Sequence, residues 1–276
     1  MTTGAGAGGI TTGAGAGGGT TGAGAGGTDS LPARWTDLRR FTPARVGLGR
    51  AGNGIPTAAH LAFQADHAAA RDAVHAALDV AALQAGLTEA GIDSLAVRSA
   101  AADRETYLRR PDLGRRLLEA DRSRLPVMPG AMLFVVCDGL SAVAVQLHAA
   151  ALLRHVVPAL LADGAVAPVV IAAQGRVALG DDIGGAMGAE AVAVLLGERP
   201  GLSAADSLGI YLTWQPRPGR TDAERNCISN IRDAGLPVAQ AAAKLLWLIG
   251  AMRRLHLTGV ALKDEQQADL ARLTLP

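Results

Sequence analysis

The chain has 276 residues, of which 49% are apolar, 18% charged and only 3% aromatic, so a wholly disordered protein is excluded and there is enough chain for one large domain or two small ones. Lysine and arginine number 26 against 25 aspartate and glutamate residues, a net charge of +1. This balance argues against nucleic acid as a partner, because proteins that neutralise phosphates carry a larger positive excess. The two cysteines, Cys137 and Cys227, are too few for a disulfide scaffold or a four-thiolate zinc site and favour a reducing, cytoplasmic setting.

The N-terminal segment is a low-complexity tract that repeats TTGAGAGG three times, at 2–9, 11–18 and 20–27. Such a glycine-rich, uncharged tract buries little surface and has much backbone entropy to lose, so residues 1–30 are predicted to be a disordered tail. No membrane span is expected. The longest uncharged stretch after the tail, Gly139 to Leu153, is shorter than the roughly 20 apolar residues that a span needs.

Residues 31–125 form a region that is predicted to be mostly helical, since strand patterns are scarce there. Pro56 precedes a helical pattern over Thr57–Asp79. A second helical pattern runs over Arg104–Leu118, and Pro111 bends or breaks it.

Residues 126–276 alternate short apolar runs with helical patterns. This alternation predicts an α/β fold, in which the helical N-terminal region is followed by a Rossmann-like, mostly parallel sheet domain with helices on both faces. The predicted strands are Met132–Cys137, Val166–Ala173, Ala191–Leu196 and Leu208–Trp214, and the predicted helices are Ser141–Leu161 and Val238–Leu255.

Ligands of such sheets bind beyond the carboxyl ends of the strands. If all the strands are parallel, four loops meet at that edge: 138–139, 174–176, 197–201 and 214–217. The loop 197–201 (GERPG) combines a carboxylate, a guanidinium and a Pro-Gly turn. Either a turn with a local ion pair or a ligand contact explains that combination.

Residues 47–52 (GLGRAG) match the G-x-G-x-x-G pattern of dinucleotide sites. The preceding segment is short and contains Pro43, and the acidic residues in range, Asp66 and Asp72, fall inside the predicted helix. A tight surface loop is therefore favoured, and an NAD(P)-dependent oxidoreductase is kept as an alternative function.

No metal site is expected from the spacing of histidines and carboxylates. His60, His67 and His75 lie too far apart along one helix to hold an ion together. For the adjacent pair Asp181-Asp182, the spacing of nearby residues suggests no third metal ligand, and such a pair is typical of a loop or a helix N-terminus. Cys227 has no evident base, so a packing or ligand-wall role is favoured over nucleophilic catalysis.

Seven segments together resemble the small (light) subunit of ethanolamine ammonia-lyase, in the same order and over roughly residues 35–262. The most specific of them are GERPGL and RNCISNI. The segments are 38–54 (LRRFTPARVGLGRAGNG), 63–72 (FQADHAAARD), 104–116 (RETYLRRPDLGRR), 137–142 (CDGLSA), 175–188 (GRVALGDDIGGAMG), 195–202 (LLGERPGL) and 222–231 (DAERNCISNI).

The resemblance implies an adenosylcobalamin-dependent lyase that converts ethanolamine to acetaldehyde and ammonia. It implies a large subunit that carries the catalytic groups, so that no catalytic residue is expected on this chain. By motif, the cofactor-binding positions are Val177, Glu198 and Cys227. The implied location is the cytoplasm or a bacterial microcompartment within it, although the Gly/Ala tail lacks the amphipathic helix of an encapsulation signal.

An arginine-rich set in the first region is expected to contribute to docking of the large subunit, with a solvated face as the alternative. A plain adaptor without a cofactor is the third function considered. The set consists of Arg39, Arg40, Arg45, Arg50, Arg109, Arg110, Arg115 and Arg116.

Overall fold

The computed structural model describes residues 37–162 and 164–266. The predicted tail, residues 1–30, lies outside them. The described residues divide into two compact units, with the boundary between Ala62 and Phe63. The site discussed below lies entirely in the second unit, and the boundary expected at residue 126 remains a prediction.

The described part of the chain contains seven α-helices and six strands. In chain order they are α1 Thr57–His75, α2 Val80–Glu89, β1 Ser94–Arg98, α3 Arg104–Arg109, α4 Glu119–Arg122, β2 Met132–Cys137, α5 Ala142–Leu161, β3 Val169–Ala173, α6 Leu179–Met187, β4 Ala191–Gly197, β5 Leu208–Trp214, β6 Arg225–Ile231 and α7 Val238–Leu255. Short 3₁₀ turns occupy Leu113–Arg115, Asp222–Glu224 and Gly259–Ala261.

The six strands form one sheet in the order β1-β3-β2-β4-β5-β6. The first four are mutually parallel, with Cys137 opposite Ala172 and Leu196, while β5 runs antiparallel to both β4 and β6. The mixed α/β fold with a mostly parallel sheet is thus confirmed, and its parallel part is compatible with a Rossmann-like description.

Helices cover both faces of the sheet, as the sequence predicts. All six residues of β2 are buried, and they alternate between two cores. Phe134 and Val136 pack with α2, α5 and α7, whereas Leu133 and Val135 pack with α6. Because both faces of these strands are covered, they read in sequence as continuous apolar runs.

Two helix boundaries differ from the prediction for identifiable reasons. The helix expected over Thr57–Asp79 ends at His75, because Asp79 instead caps α2 by accepting a hydrogen bond from the Ala82 backbone amide at 2.9 Å. The helix expected over Arg104–Leu118 ends at Arg109, shortly before Pro111, and only a 3₁₀ turn follows.

Two strands were not predicted. β1 lies in the region read as mostly helical, and its five residues pair with β3 along their whole length. β6 has the burial pattern of an edge strand, with Arg225, Ile228 and Ile231 buried and the residues between them wholly or partly exposed. Neither strand has a continuous apolar run, which is why the sequence pattern missed them.

Helix α5 is long and apolar enough to cross a membrane by length and composition, but half of its most apolar window is buried inside the protein. It packs against α2, α7 and the sheet. This is the position of a core helix.

Candidate functional site

The sheet has a topological switch point between β2 and β4. Helix α5 follows β2 onto one face, and α6 follows β3 onto the other, and ligands of α/β proteins bind beyond the carboxyl ends of the strands near such a point. The two loops touch: the Leu140 amide donates to the Gly197 carbonyl at 2.9 Å. Gly139 has a φ of +56°, and a Cβ there would collide with the Gly197 carbonyl.

A cavity of about 750 Å³ opens beside these loops. Its walls come from the carboxyl ends of β3 and β4, the exposed side of β5 and the segment that leads into β6. Val177 and Glu198 both line it, together with Arg176, Arg199, Tyr211 and Arg225. The structure therefore brings two of the three predicted site residues to one wall.

Val177 is held by its neighbours in the loop between β3 and α6. The Arg176 amide donates to the Gly114 carbonyl at 2.8 Å, and the Gly175 amide donates to the Asp138 carboxylate at 3.1 Å. A Cβ on Gly175 would approach the Cys137 Sγ to 2.5 Å. The loop backbone is thus fixed against the end of β2, and Val177 begins the turn into α6 by accepting a hydrogen bond from Gly180 at 3.0 Å.

Glu198 follows the last residue of β4, and two donors hold one of its carboxylate oxygens. The Ser207 hydroxyl donates to Oε2 at 2.5 Å, and the Asn230 backbone amide donates to the same atom at 3.1 Å. Among the described residues, none donates a hydrogen bond to Oε1. That oxygen remains able to accept a hydrogen bond from a ligand.

Cys227 lies on β6, directly opposite Tyr211 on β5, and is exposed. It does not line the cavity itself, but its cross-strand partner Tyr211 does. Loss of solvation raises the pKa of the Cys227 thiol, the Tyr211 hydroxyl lowers it, and the nearby Glu198 carboxylate raises it. Loss of solvation is also the main cause that raises the pKa of Tyr211, to about 12.

The arginines around the cavity are held in different ways. Arg225 forms a buried two-bond ion pair with Asp181 at 2.8 and 2.6 Å. Arg176 stacks over the Tyr107 ring at 4.4 Å and donates to the Tyr107 carbonyl at 3.0 Å. Sequence reasoning did not identify Tyr107, Tyr211 or Arg225 as residues of this wall, because only the folded chain brings them together.

The carboxylates of the Asp181-Asp182 pair are both used by the protein. Asp181 binds Arg225, while Asp182 accepts hydrogen bonds from the Leu117 amide and the Arg122 guanidinium, both at 2.8 Å. Within residues 37–162 and 164–266, no three histidine, cysteine or acidic side chains cluster in a way that could hold a metal ion.

One loop predicted at the carboxyl edge lies elsewhere. Residues 214–217 were expected there on the condition that all the strands are parallel. Since β5 is antiparallel, Trp214 pairs with Ala191 at the amino end of β4. The loops 138–139, 174–176 and 197–201 do lie at the carboxyl edge, because they follow the parallel strands β2, β3 and β4.

The glycine motif 47–52 lies in the first unit. Gly47, Gly49 and Gly52 have positive φ values, and the motif ends in a small turn closed by a bridge between Ala51 and Gly54. From residue 37 to the motif there is no strand, so the strand–turn–helix context of a dinucleotide site is missing. His60, His67 and His75 are exposed on α1.

Comparison with known proteins finds one protein family whose members match this chain over most of its length. The model of the ethanolamine ammonia-lyase light chain family matches residues 32–263. The ethanolamine ammonia-lyase small subunit of Azotobacter vinelandii is 55% identical over 246 residues, which cover 87% of this chain and 90% of the relative. That of Bradyrhizobium diazoefficiens is 56% identical over 243 residues, 86% of this chain and 93% of the relative. That of Xanthomonas campestris is 53% identical over 252 residues, 88% of this chain and 93% of the relative. The chain belongs to the ethanolamine ammonia-lyase light chain family.

Proposed function

We propose that this chain is the small subunit of ethanolamine ammonia-lyase and that, together with a large subunit, it encloses adenosylcobalamin while ethanolamine is converted to acetaldehyde and ammonia. The observation that carries the proposal is the cavity wall on which Val177 and Glu198 meet, with Cys227 directly opposite the wall residue Tyr211 on the neighbouring strand. These are the three positions at which the family resemblance implies contact with the cofactor.

The polar groups of the wall suit a corrin, whose primary-amide side chains both donate and accept hydrogen bonds. Glu198 Oε1 supplies an acceptor. Arg176 Nε and Arg225 Nε are buried without a hydrogen-bond partner among the described residues, and Arg225 Nε lies 3.5 Å from the exposed Asp222 carboxylate. A wall that combines arginine side chains with a carboxylate matches the ligand's chemistry.

Each site residue then has a role set by its surroundings. Glu198 accepts an amide N–H of the corrin through a charge-assisted hydrogen bond, and the backbone around Val177 binds further amides. The small thiol of Cys227 allows close approach of the ring edge. Adenosylcobalamin, when bound, supplies the radical chemistry of the reaction. This chain shields that chemistry from water and contributes no acid, base or nucleophile to it.

The small-subunit identity implies a large-subunit partner, and we propose that part of the arginine-rich set contacts it. Arg109 and Arg110 are occupied by Glu105 and Asp112, each at 2.8 Å. Arg50 is exposed and forms no ion pair with a described residue. Exposed apolar side chains lie in the same part of the chain, with Phe41 82% and Leu61 57% exposed.

Charge reversal at one of these positions tests the docking surface. Arg50→Glu is expected to lower the amount of large subunit that co-purifies, whereas Arg154→Glu on α5 serves as a matched control and leaves it unchanged. Equal recovery with both variants would exclude Arg50 from the interface.

The proposed location of the complex is the cytoplasm, or a microcompartment within it. Fractionation of cells that express both subunits distinguishes the two locations.

The central experiment is co-expression with a large subunit, followed by an ammonia-release assay on ethanolamine with and without adenosylcobalamin. Activity that requires both the second subunit and the cofactor supports the proposal. Full activity without cobalamin would instead support a cofactor-free adaptor. Quenching of NADH fluorescence by the isolated chain would favour the oxidoreductase alternative.

Glu198→Ala tests the cofactor wall directly. Loss of a charge-assisted hydrogen bond is expected to weaken cobalamin binding by the assembled complex about ten- to a hundredfold. Glu190→Ala removes a carboxylate at the amino end of the same strand and is expected to leave the affinity unchanged. An unaltered dissociation constant for Glu198→Ala would reject the role of Glu198.

A further inference from the structure

Ser207 lies just before β5, and its hydroxyl is committed to Glu198. The residue is 5% exposed, and its Oγ donates to Glu198 Oε2 at 2.5 Å. The same two residues are also joined through their backbones, because the Glu198 amide donates to the Ser207 carbonyl at 2.9 Å. A two-point contact of this kind fixes both the chain and the side chain of Glu198.

The second donor to Oε2 comes from a strained position. Asn230 has a φ of +58°, a left-handed conformation that asparagine tolerates better than most residues. Its backbone amide donates to Glu198 Oε2 at 3.1 Å. Both donors therefore bind Oε2, and Oε1 is the oxygen left for a ligand.

The strand backbone limits the carboxylate on its other side. A Cβ on Gly209 would lie 2.9 Å from Glu198 Oε1 and 3.1 Å from its Cγ. The Glu198 side chain thus lies directly against the backbone of β5, at the point where the pairing of β5 with β6 shifts register between Leu208 and Ile210. Glycine leaves the space in which the carboxylate lies.

We infer that Ser207 is a positioning residue for cobalamin binding: it orients the Glu198 carboxylate so that Oε1 meets a corrin amide, and Gly209 provides the space for this orientation. A glutamate side chain that is free to rotate loses conformational entropy when it binds a ligand. Because the hydrogen bond from Ser207 already fixes the Glu198 side chain, this entropy is lost when the subunit folds and not when the ligand binds. The inference rests on the proposed function, since it requires Glu198 to contact the cofactor.

A double-mutant cycle on the assembled large- and small-subunit complex tests this role. The readout is the dissociation constant of cyanocobalamin, measured by equilibrium dialysis in the absence of ethanolamine. Ser207→Ala is expected to weaken binding about tenfold, and Ser207→Thr, which keeps the hydroxyl, to restore most of the affinity. In the Glu198→Ala background, Ser207→Ala is expected to have no further effect, because a residue that acts only through Glu198 loses its role with it.

Two further variants keep the result interpretable. Ser203→Ala removes an exposed hydroxyl from the same loop and is expected to bind normally. Gly209→Ala displaces the carboxylate without removing a donor, and it is expected to weaken binding in the wild-type background but not in Glu198→Ala. It replaces Ser207→Ala if that variant does not assemble.

The outcomes separate the inference from the function on which it rests. Wild-type affinity in Ser207→Ala, or losses that multiply in the double variant, would overturn the positioning role. If Glu198→Ala itself binds cyanocobalamin normally, the cofactor role of Glu198 fails, and the positioning role fails with it. If Glu198→Ala weakens binding and Ser207→Ala does not, only the positioning role fails.

Discussion

Arg225 on β6 and Asp181 in the first turn of α6 form an ion pair whose side chains are only 2% and 1% exposed. The guanidinium also donates to the Thr213 hydroxyl at 2.9 Å and to the Arg220 carbonyl at 3.0 Å. This contact ties the helix that follows Val177 to the strand that carries Cys227. It therefore sets the relative position of two walls of the cavity.

Arg225→Met is expected to destabilise the fold by about 3–5 kcal/mol, because it leaves a buried carboxylate without its partner. Burial already raises the pKa of Asp181, while Arg225 lowers it, so removal of Arg225 is expected to raise this pKa further. Urea unfolding of the full chain measures the loss. Asp222→Asn is the control: its carboxylate lies 3.5 Å from Arg225 Nε but is fully exposed, and a change above about 1 kcal/mol there would contradict this assignment.

Gly197→Ala is expected to destabilise the chain by about 1–3 kcal/mol or more, because its Cβ would collide with the Ser141 carbonyl and approach the Asp138 carbonyl to 2.5 Å. Gly201→Ala in the same loop has open space around its Cβ and is expected to change little. The comparison of the two melting temperatures checks the close approach of the loops after β2 and β4. Equal melting temperatures would show that these loops can separate.

The stability of the turn into β6 is expected to depend on pH through Glu224. Hydrogen bonds from the Thr221 backbone, the Arg220 guanidinium and the Thr221 hydroxyl lower the pKa of Glu224 from its ordinary value of 4.5 to about 2. Because the folded pKa is depressed, the stabilisation is present above the ordinary value and is lost as the pH falls through about 2.

Glu224→Gln therefore has a lower melting temperature than wild type at neutral pH, and the difference is expected to shrink between about pH 4.5 and pH 2. Thermal unfolding over this range measures it. Glu119→Gln, at an 85% exposed side chain, controls for the general effect of removing a carboxylate. A difference that grows on acidification would contradict the linkage.

The reactivity of the Cys227 thiol reports on the site. Since the Tyr211 hydroxyl lowers the pKa of Cys227 and the Glu198 carboxylate raises it, Tyr211→Phe is expected to slow alkylation by iodoacetamide and Glu198→Gln to accelerate it. Rates in the isolated full chain at one mildly alkaline pH provide the measurement. Cys137 is buried, and burial raises its pKa well above the ordinary value, so it is expected to stay unlabelled until the chain unfolds. Shifts of the same sign in the two variants would contradict this account.

The elements that could be predicted are those whose apolar residues in the sequence match their buried faces in the fold. Strand β2 and helix α5 are buried on the faces that their apolar patterns indicate, and the loops after β2, β3 and β4 follow from the parallel order. β1 and β6 escaped prediction because their side chains are mixed in polarity. The direction of β5 is also not encoded in a local pattern, since an apolar run such as LGIYLTW fits a parallel or an antiparallel neighbour equally well.

The candidate site divides in the same way. Val177, Glu198 and Cys227 came from motif resemblance, whereas chemistry alone left a local turn and a ligand contact equally open at Glu198. Ser207 and Tyr211 could not be predicted, because their roles depend on the pairing of β5 with β4 and β6. Such pairing brings together residues that are distant in sequence and individually unremarkable.

The walls of the cavity come from chain positions as far apart as Tyr107 and Arg225, and β6 completes them. During synthesis on the ribosome, the nascent chain therefore has no complete cavity wall until this last strand has emerged and paired. Termination before Arg225 leaves the wall without this residue. Once the surface is complete, a ligand that binds only the finished wall also protects the whole subunit from unfolding.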